Sequence, residues 1–226
     1  MIQAMKAGSA APPDWQRIDT VLFDLDGTLL DLCFDNHLWR EIVPEAYAAT
    51  RALSIAEART ALQSRLRACA GTLDWYCMDY WSRELQLDVT ALHRTHARRI
   101  DWLPGAQQTL AGLRARGKRL VLITNSHPHL LRVKDETVGV RRHFDAVFSS
   151  HEFGVAKEDE RLWQRMRVVE PFDPQRTLFV DDNAAVLKAA RSAGIRFVYA
   201  MCHPDSTRPP REHPEFPGVH SVAELL

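Results

Sequence analysis

The stretch Asp19 to Leu30, DTVLFDLDGTLL, constrains the rest of the chain more than any other. Val21, Leu22 and Phe23 form a short apolar run of the kind a strand buried on both faces requires, and the run stops at Asp24. Asp24 and Asp26 alternate with Leu25, so an extended chain puts both carboxylates on one side, and Gly27-Thr28 supplies the tight turn that follows. Such a pair can divide its work: one carboxylate binds a metal and attacks while the other handles a proton. A calcium loop also uses D-x-D-G, but the further ligands and closing Glu that it needs do not follow at loop spacing. A solvated turn capping a strand is the structural alternative.

With 226 residues, 46% of them hydrophobic, the chain has room for one sizeable core, or for a core and a smaller inserted domain. Lys plus Arg balances Asp plus Glu at 29 each. No net field draws nucleic acid or an anionic membrane, so a phosphate-bearing ligand must be met by local charge. Cys33, Cys69, Cys77 and Cys202 show neither C-x-x-C spacing nor the density of a disulfide scaffold, and free thiols in a reducing cytoplasm are expected. No run reaches ~18 apolar residues, so no membrane span is expected. Residues 1–17, rich in small residues and Pro, read as a mobile N-terminal tail.

Residues 32–100 carry helical periodicity and no strand. Leu38, Trp39, Ile42 and Val43 share one face, as do Leu62, Leu66 and Cys69. They are expected to form an all-helical cap inserted in a core of residues 18–31 and 101–226. Trp75, Tyr76, Tyr80 and Trp81 fall at helical spacing and are expected to pack that cap rather than to contact substrate. From Leu103 the pattern alternates strand and helix. Strands are expected at 119–123, 144–149, 178–180 and 195–199, with helices at 105–116, 158–169 and 184–193. The Pro-rich residues 201–218 read as irregular and without chemistry, and 219–226 as a short terminal helix. The expected fold is therefore α/β, a doubly wound parallel sheet; if its order is 3-2-1-4-5, the first strand lies at the middle.

Three buried strands end in polar pairs: Asp24 and Asp26, Thr124 and Asn125, Asp181 and Asp182. In a doubly wound sheet, ligands bind outside the carboxyl ends of the strands where strand order reverses, so these ends would meet and Asp24 would stand beside Asp181. Taken singly, Thr124 could cap the next segment, Lys157 could pair with Glu158 or Glu160 on a helix surface, and Asp181-Asp182 could be capping acids. Only their joint placement argues for a site. His127 and His129 flank Pro128, a spacing poor for joint metal ligation, and read as supporting or surface groups.

Asp24-Leu25-Asp26-Gly27-Thr28, Thr124, Lys157 and Asp181-Asp182, in that order, resemble the four motifs of the haloacid-dehalogenase (HAD)-type phosphohydrolases. A response-regulator receiver uses similar residues in a different order. The resemblance implies a Mg2+ ion held by the Asp24 side chain, the Asp26 main-chain carbonyl, Asp181, and Asp182 directly or through water. It further implies attack by Asp24 to form an aspartyl-phosphate, acid–base work by Asp26, and binding of the transferred group by Thr124, Asn125 and Lys157. Asp26 argues against the dehalogenases of this superfamily, whose halide leaving group needs no proton. The absence of Lys between Asp31 and Ile100 weakens phosphonatase chemistry.

The segments LLDLCFDNHLW (29–39), LDWYCMDYWS (73–82), TNSHPHLLRVK (124–134), FGVAKEDERLW (153–163) and RTLFVDDN (176–183) are similar to those of bacterial GMP/IMP 5′-nucleotidases in this superfamily. One departure is Ala156 where those sequences usually carry Pro. The similarity implies a purine nucleoside 5′-monophosphate as substrate. A broad or sugar-phosphate phosphatase of the same mechanism, and a phosphate-binding protein without turnover, are the alternatives. An Asn amide can donate to O6 and accept from N1–H of guanine or hypoxanthine, which makes Asn36 the candidate base reader. Asp35 and Asp79 are alternatives, with Trp75 or Tyr80 stacking on the purine.

Overall fold

The computed structural model describes residues 12–226. Six parallel strands, β1 (Thr20–Phe23), β2 (Arg119–Thr124), β3 (Ala146–Ser149), β4 (Thr177–Asp181), β5 (Phe197–Met201) and β6 (Gly218–Val219), lie in the order β3-β2-β1-β4-β5-β6. The expected order holds, with one strand added at the edge. β1 is central: Thr20 to Phe23 pair with Arg119 to Leu122 on one side and with Thr177 to Val180 on the other.

Side chains alternate across this sheet and divide it between two cores. Val21, Phe23, Leu120, Leu122, Leu178 and Val180 face one; Leu22, Val121, Ile123 and Phe179 face the other. Between their polar first residues, Thr20, Arg119 and Thr177, and their carboxyl ends the three central strands are wholly apolar, and each fully buried Leu, Val or Phe contributes about 1.5–3 kcal/mol of transfer free energy.

Between β1 and β2 the chain is helical. α1 (Cys33–His37) runs through a π turn at Leu38–Ile42 into α2 (Val43–Arg51). α3 (Ile55–Cys69) starts at a capping box in which Ser54 and Glu57 satisfy each other's amides. A short 3-10 turn (Leu73–Tyr76), α4 (Met78–Leu85) and α5 (Val89–His96) complete the segment. Trp81 is fully buried and meets Trp39 edge-to-face at 5.3 Å, and Trp75 and Tyr80 pack half-buried against the same core, so three of the four clustered rings pack as expected. The buried residues of these helices join the core on the Phe23 side of the sheet.

α6 (Ala106–Ala115) and α7 (Pro128–Val138) cover that same side, while α8 (Glu160–Val169) and α9 (Ala184–Ser192) cover the other. The C-terminal region departs from expectation. Gly218–Val219 adds β6 beside β5, and Val222–Leu225 is a single 3-10 turn rather than a helix. A two-residue strand leaves no period-2 trace, and it forms because β5 offers an open edge. Of the mobile tail expected over residues 1–17, residues 1–11 lie outside the described residues. The remainder is tied down: Trp15 Nε1 donates to the Leu225 carbonyl at 2.8 Å, and Lys118 Nζ donates to the Trp15 and Ile18 carbonyls.

Candidate active site

β1 leaves the sheet at Asp24, whose amide still donates to the Val180 carbonyl at 3.0 Å, so its carboxylate stands beside the end of β4. Lys157 Nζ donates to Asp24 Oδ1 and, at 2.7 Å, to Asp181 Oδ2, and all three groups are buried. Burial raises the pKa of Asp24 and Asp181 despite the lysine between them. Burial acts against the Lys157 ammonium as well, but Asp181 and Asp24 together carry its pKa above the ordinary lysine value.

The loop presenting Lys157 is held at both ends of the residue. Its amide donates to Asn125 Oδ1 at 2.9 Å and its carbonyl accepts from Trp163 Nε1 at 3.1 Å, so Ala156 in place of Pro leaves the lysine anchored. Thr124 Oγ1 accepts from the Ser126 amide at 3.0 Å, which shapes the loop and leaves the hydroxyl proton to donate. Ser126 Oγ is buried with no hydrogen-bond partner. Both residues line the same cleft.

After β4, Asp182 accepts from Arg211 Nη2 at 2.5 Å, and burial again raises its carboxyl. Gly27 has φ +86°, and a Cβ there would stand 3.0 Å from Asp182 Oδ2 and from Pro204, so this turn admits only glycine at full comfort. Carboxylate oxygens of Asp24, Asp181 and Asp182 come within 4.8 Å of one another. Such a set of hard oxygen donors, where acids outnumber nearby cations, fits a magnesium-type ion.

Asp26 is held by a different lysine from the one that holds Asp24. Lys134 Nζ donates to Asp26 Oδ1 at 2.6 Å and to Asp35 Oδ2 at 3.0 Å, and its side chain is 1% exposed. Burial still lifts the Asp26 pKa, with Lys134 opposing and Asp35 reinforcing the shift. A raised carboxyl suits a proton donor. The sign of Lys134 was present in the sequence: it lies on the apolar face of α7 with Leu130 and Leu131, a position where a charge must find a partner.

A cleft of about 720 Å³ opens above these groups. Every residue singled out from the motifs lines it: Asp24, Asp26, Thr124, Asn125, Lys157, Asp181 and Asp182; Asn36 does so as well. Asn36 Nδ2 donates to Asp205 Oδ2 at 2.7 Å, which uses one of the amide's two N–H groups, orients the side chain and leaves its oxygen for a ligand. Trp75 and Tyr76 reach the cleft, but Asp79 and Tyr80 are not among its walls, and Asp79 faces His127 and His129 instead.

Arg40, Arg211 and Glu158 were not foreseen. Glu158 accepts from Tyr76 Oη at 2.6 Å, Asn125 Nδ2 at 3.0 Å and Asn183 Nδ2 at 3.3 Å, so it joins the helical segment to two strand ends. Arg211 and Asp205 come from the Pro-rich region, which therefore does bear on the site.

Residues 18–194 match the haloacid dehalogenase-like hydrolase family. The chain is 40% identical over 212 residues to the GMP/IMP nucleotidase YrfG of Escherichia coli K12, covering 94% of this chain and 96% of that protein. Its fold is similar to that of a HAD phosphatase from Thermococcus onnurineus, with TM-score 0.76 and 20% identity over 92% of this chain and 96% of the other. An L-2-haloacid dehalogenase from Xanthobacter autotrophicus shares the fold at TM-score 0.59 and 20% identity, again over 92% and 96% of the two chains. Because the fold is common to both chemistries, the discrimination rests on Asp26, an acid that alkoxide departure needs and halide departure does not. The chain belongs to the haloacid dehalogenase-like hydrolases and carries within them the acid pair of a phosphoric monoester hydrolase.

Proposed function

We propose that the protein is a Mg2+-dependent 5′-nucleotidase that hydrolyses GMP and IMP through an aspartyl-phosphate. Residues 32–100 act as a cap over the core of residues 18–31 and 101–226. Asp24 attacks phosphorus in line, and the bond to the 5′-oxygen breaks as the aspartyl-phosphate forms. Asp26, kept protonated by burial, gives its proton to the departing oxygen. Water then attacks the aspartyl-phosphate, Asp26 takes its proton, and inorganic phosphate leaves. Thr124, the Asn125 amide and the unpartnered Ser126 hydroxyl bind the transferred oxygens, while Lys157 balances charge shared by nucleophile and phosphoryl. Asp24, Asp181, Asp182 and the Asp26 main-chain carbonyl would hold Mg2+, which neutralises charge between carboxylate and phosphate when bound.

The observation that carries this reading is the position of the acid pair beneath a cleft of about 720 Å³, a volume suited to a nucleotide. Asn36 Oδ1 accepts from N1–H, Arg40 on the same helical face of the cleft donates to O6 or N7, and Trp75 stacks on the purine. The nucleotidase named above, similar along nearly the whole chain, supports the same substrate class. Four free thiols fit a reducing cytoplasm.

Release of inorganic phosphate from GMP, IMP, AMP, pyrimidine monophosphates and sugar phosphates tests the reading. A mismatched AMP edge costs ~1–3 kcal/mol, so kcat/KM should favour GMP and IMP by roughly 5- to 150-fold. Excess EDTA should abolish turnover on every substrate. A flat profile, or preference for sugar phosphates, would reject the purine assignment.

A further inference from the structure

Outside the cleft, at the seam between the helical segment and the sheet, a second group of donors converges. Cys77 precedes α4, His127 follows β2, and His151 lies in the 3-10 turn Ser150–Phe153 after β3. One ligand atom from each falls within 4.8 Å of the other two. The His127 and His151 rings stand 4.7 Å apart, and Asp79 Oδ2 lies 3.7 Å from His127 Nε2. None of the three triad residues lines the cleft.

We propose that Cys77, His127 and His151 form a binding site for a borderline-soft divalent cation of the zinc type, with Asp79 or water completing the shell. Three observations beyond proximity point to a ligand. His151 Nε2 is buried and has no hydrogen-bond partner, a state that protein interiors rarely leave unfilled. The Asn125 main-chain carbonyl lies beside the same ring. A backbone carbonyl next to the ring is the usual outer partner of a metal-bound histidine. Cys77 Sγ, finally, caps α4 and accepts from the Tyr80 amide at 3.4 Å, which holds the sulfur in place beside the two rings.

A tetrahedral zinc sets its ligand atoms about 3.5 Å apart, so the donors would close by roughly 1 Å, within reach of side-chain rotation. Occupation would tie the helical segment to the loops after β2 and β3. Tyr76, next to Cys77, bonds Glu158 beside Lys157, so the clamp would set the closed position of one wall of the cleft.

Cobalt is the probe, because a thiolate ligand gives Co2+ a near-ultraviolet charge-transfer band that the carboxylate site cannot produce. Titrating the full chain with Co2+ in excess Mg2+ should raise this band to saturation at one equivalent, and Zn2+ should displace it. Cys77→Ser, nearly isosteric, should abolish the band, and His151→Ala should weaken Co2+ binding by at least about 100-fold, the upper end of what losing an outer partner costs. Zn2+ should raise the Tm of the unmutated chain and leave that of Cys77→Ser unchanged. Absence of the band in the unmutated chain, or its survival in Cys77→Ser, would overturn the site.

Discussion

Two lysines that lie 23 positions apart in the chain divide the paired acids between them. Lys157 holds Asp24 and Asp181, and Lys134 holds Asp26 and Asp35. Asp26 is thereby oriented toward the cleft while burial keeps its carboxyl easily protonated. Asp26→Asn should lose a further ~100-fold on GMP compared with p-nitrophenyl phosphate, because p-nitrophenolate departs without a proton. Equal losses in single-turnover rates would remove Asp26 from the acid role. Lys134→Met leaves Asp26 and Asp35 facing each other without a cation. Urea unfolding at neutral pH should show a loss of about 3 kcal/mol. The GMP rate should fall more than the p-nitrophenyl phosphate rate, since the misplaced group is the acid. A variant as stable and as active as the parent would show Lys134 to be a bystander.

At the scale of elements, α5 carries a pH dependence into the fold. His93 is fully buried, its Nδ1 meets the Val89 carbonyl at 2.8 Å, and its Nε2 has no partner. Burial lowers its pKa from 6.5 to about 4, so the unfolded chain binds this proton more readily than the folded one. Stability is therefore full above the unfolded value and falls as pH drops from about 6.5 toward 4, by roughly 3 kcal/mol from this residue at the limit. His93→Phe, which can keep the edge contact with Phe34, should flatten the slope between pH 7 and pH 4.5 in denaturant titrations. His151, lowered to about 4 by burial, acts in the same direction, so the slope flattens without vanishing. An unchanged slope would assign the acid sensitivity elsewhere. The π turn at Leu38–Ile42 shows a different kind of element effect. It widens a continuous helix where Asn36, Trp39 and Arg40 face the cleft, and helical periodicity alone cannot reveal it.

For the molecule as a whole, the helical segment and the sheet share one core and one cleft, and Tyr76 to Glu158 is one of their polar links at the site, beside Asp35 to Lys134 and Asn36 to Asp205. Burial pushes the Tyr76 phenol above its ordinary pKa, so it remains a donor. Tyr76→Phe removes a hydrogen bond to a carboxylate and should raise KM for GMP by up to about tenfold, with a smaller effect on kcat. An unchanged KM would mean that the cleft closes without this bond. The strands, the helical insertion and the acids at the strand ends were legible in the sequence because each is a local event, an apolar run that stops at a polar turn, whereas the strand order came with the family resemblance. Asp24, Thr124 and Asp181 could be placed together from sheet topology alone, since parallel strands leave their carboxyl ends on one edge. The partners of the buried charges could not. Lys134 with Asp26, Arg211 with Asp182, Asn36 with Asp205 and Cys77 with His127 and His151 meet only after helices pack at particular angles against the sheet. Contacts between such distant side chains leave no periodic trace in a single chain, so the tertiary structure alone decided them.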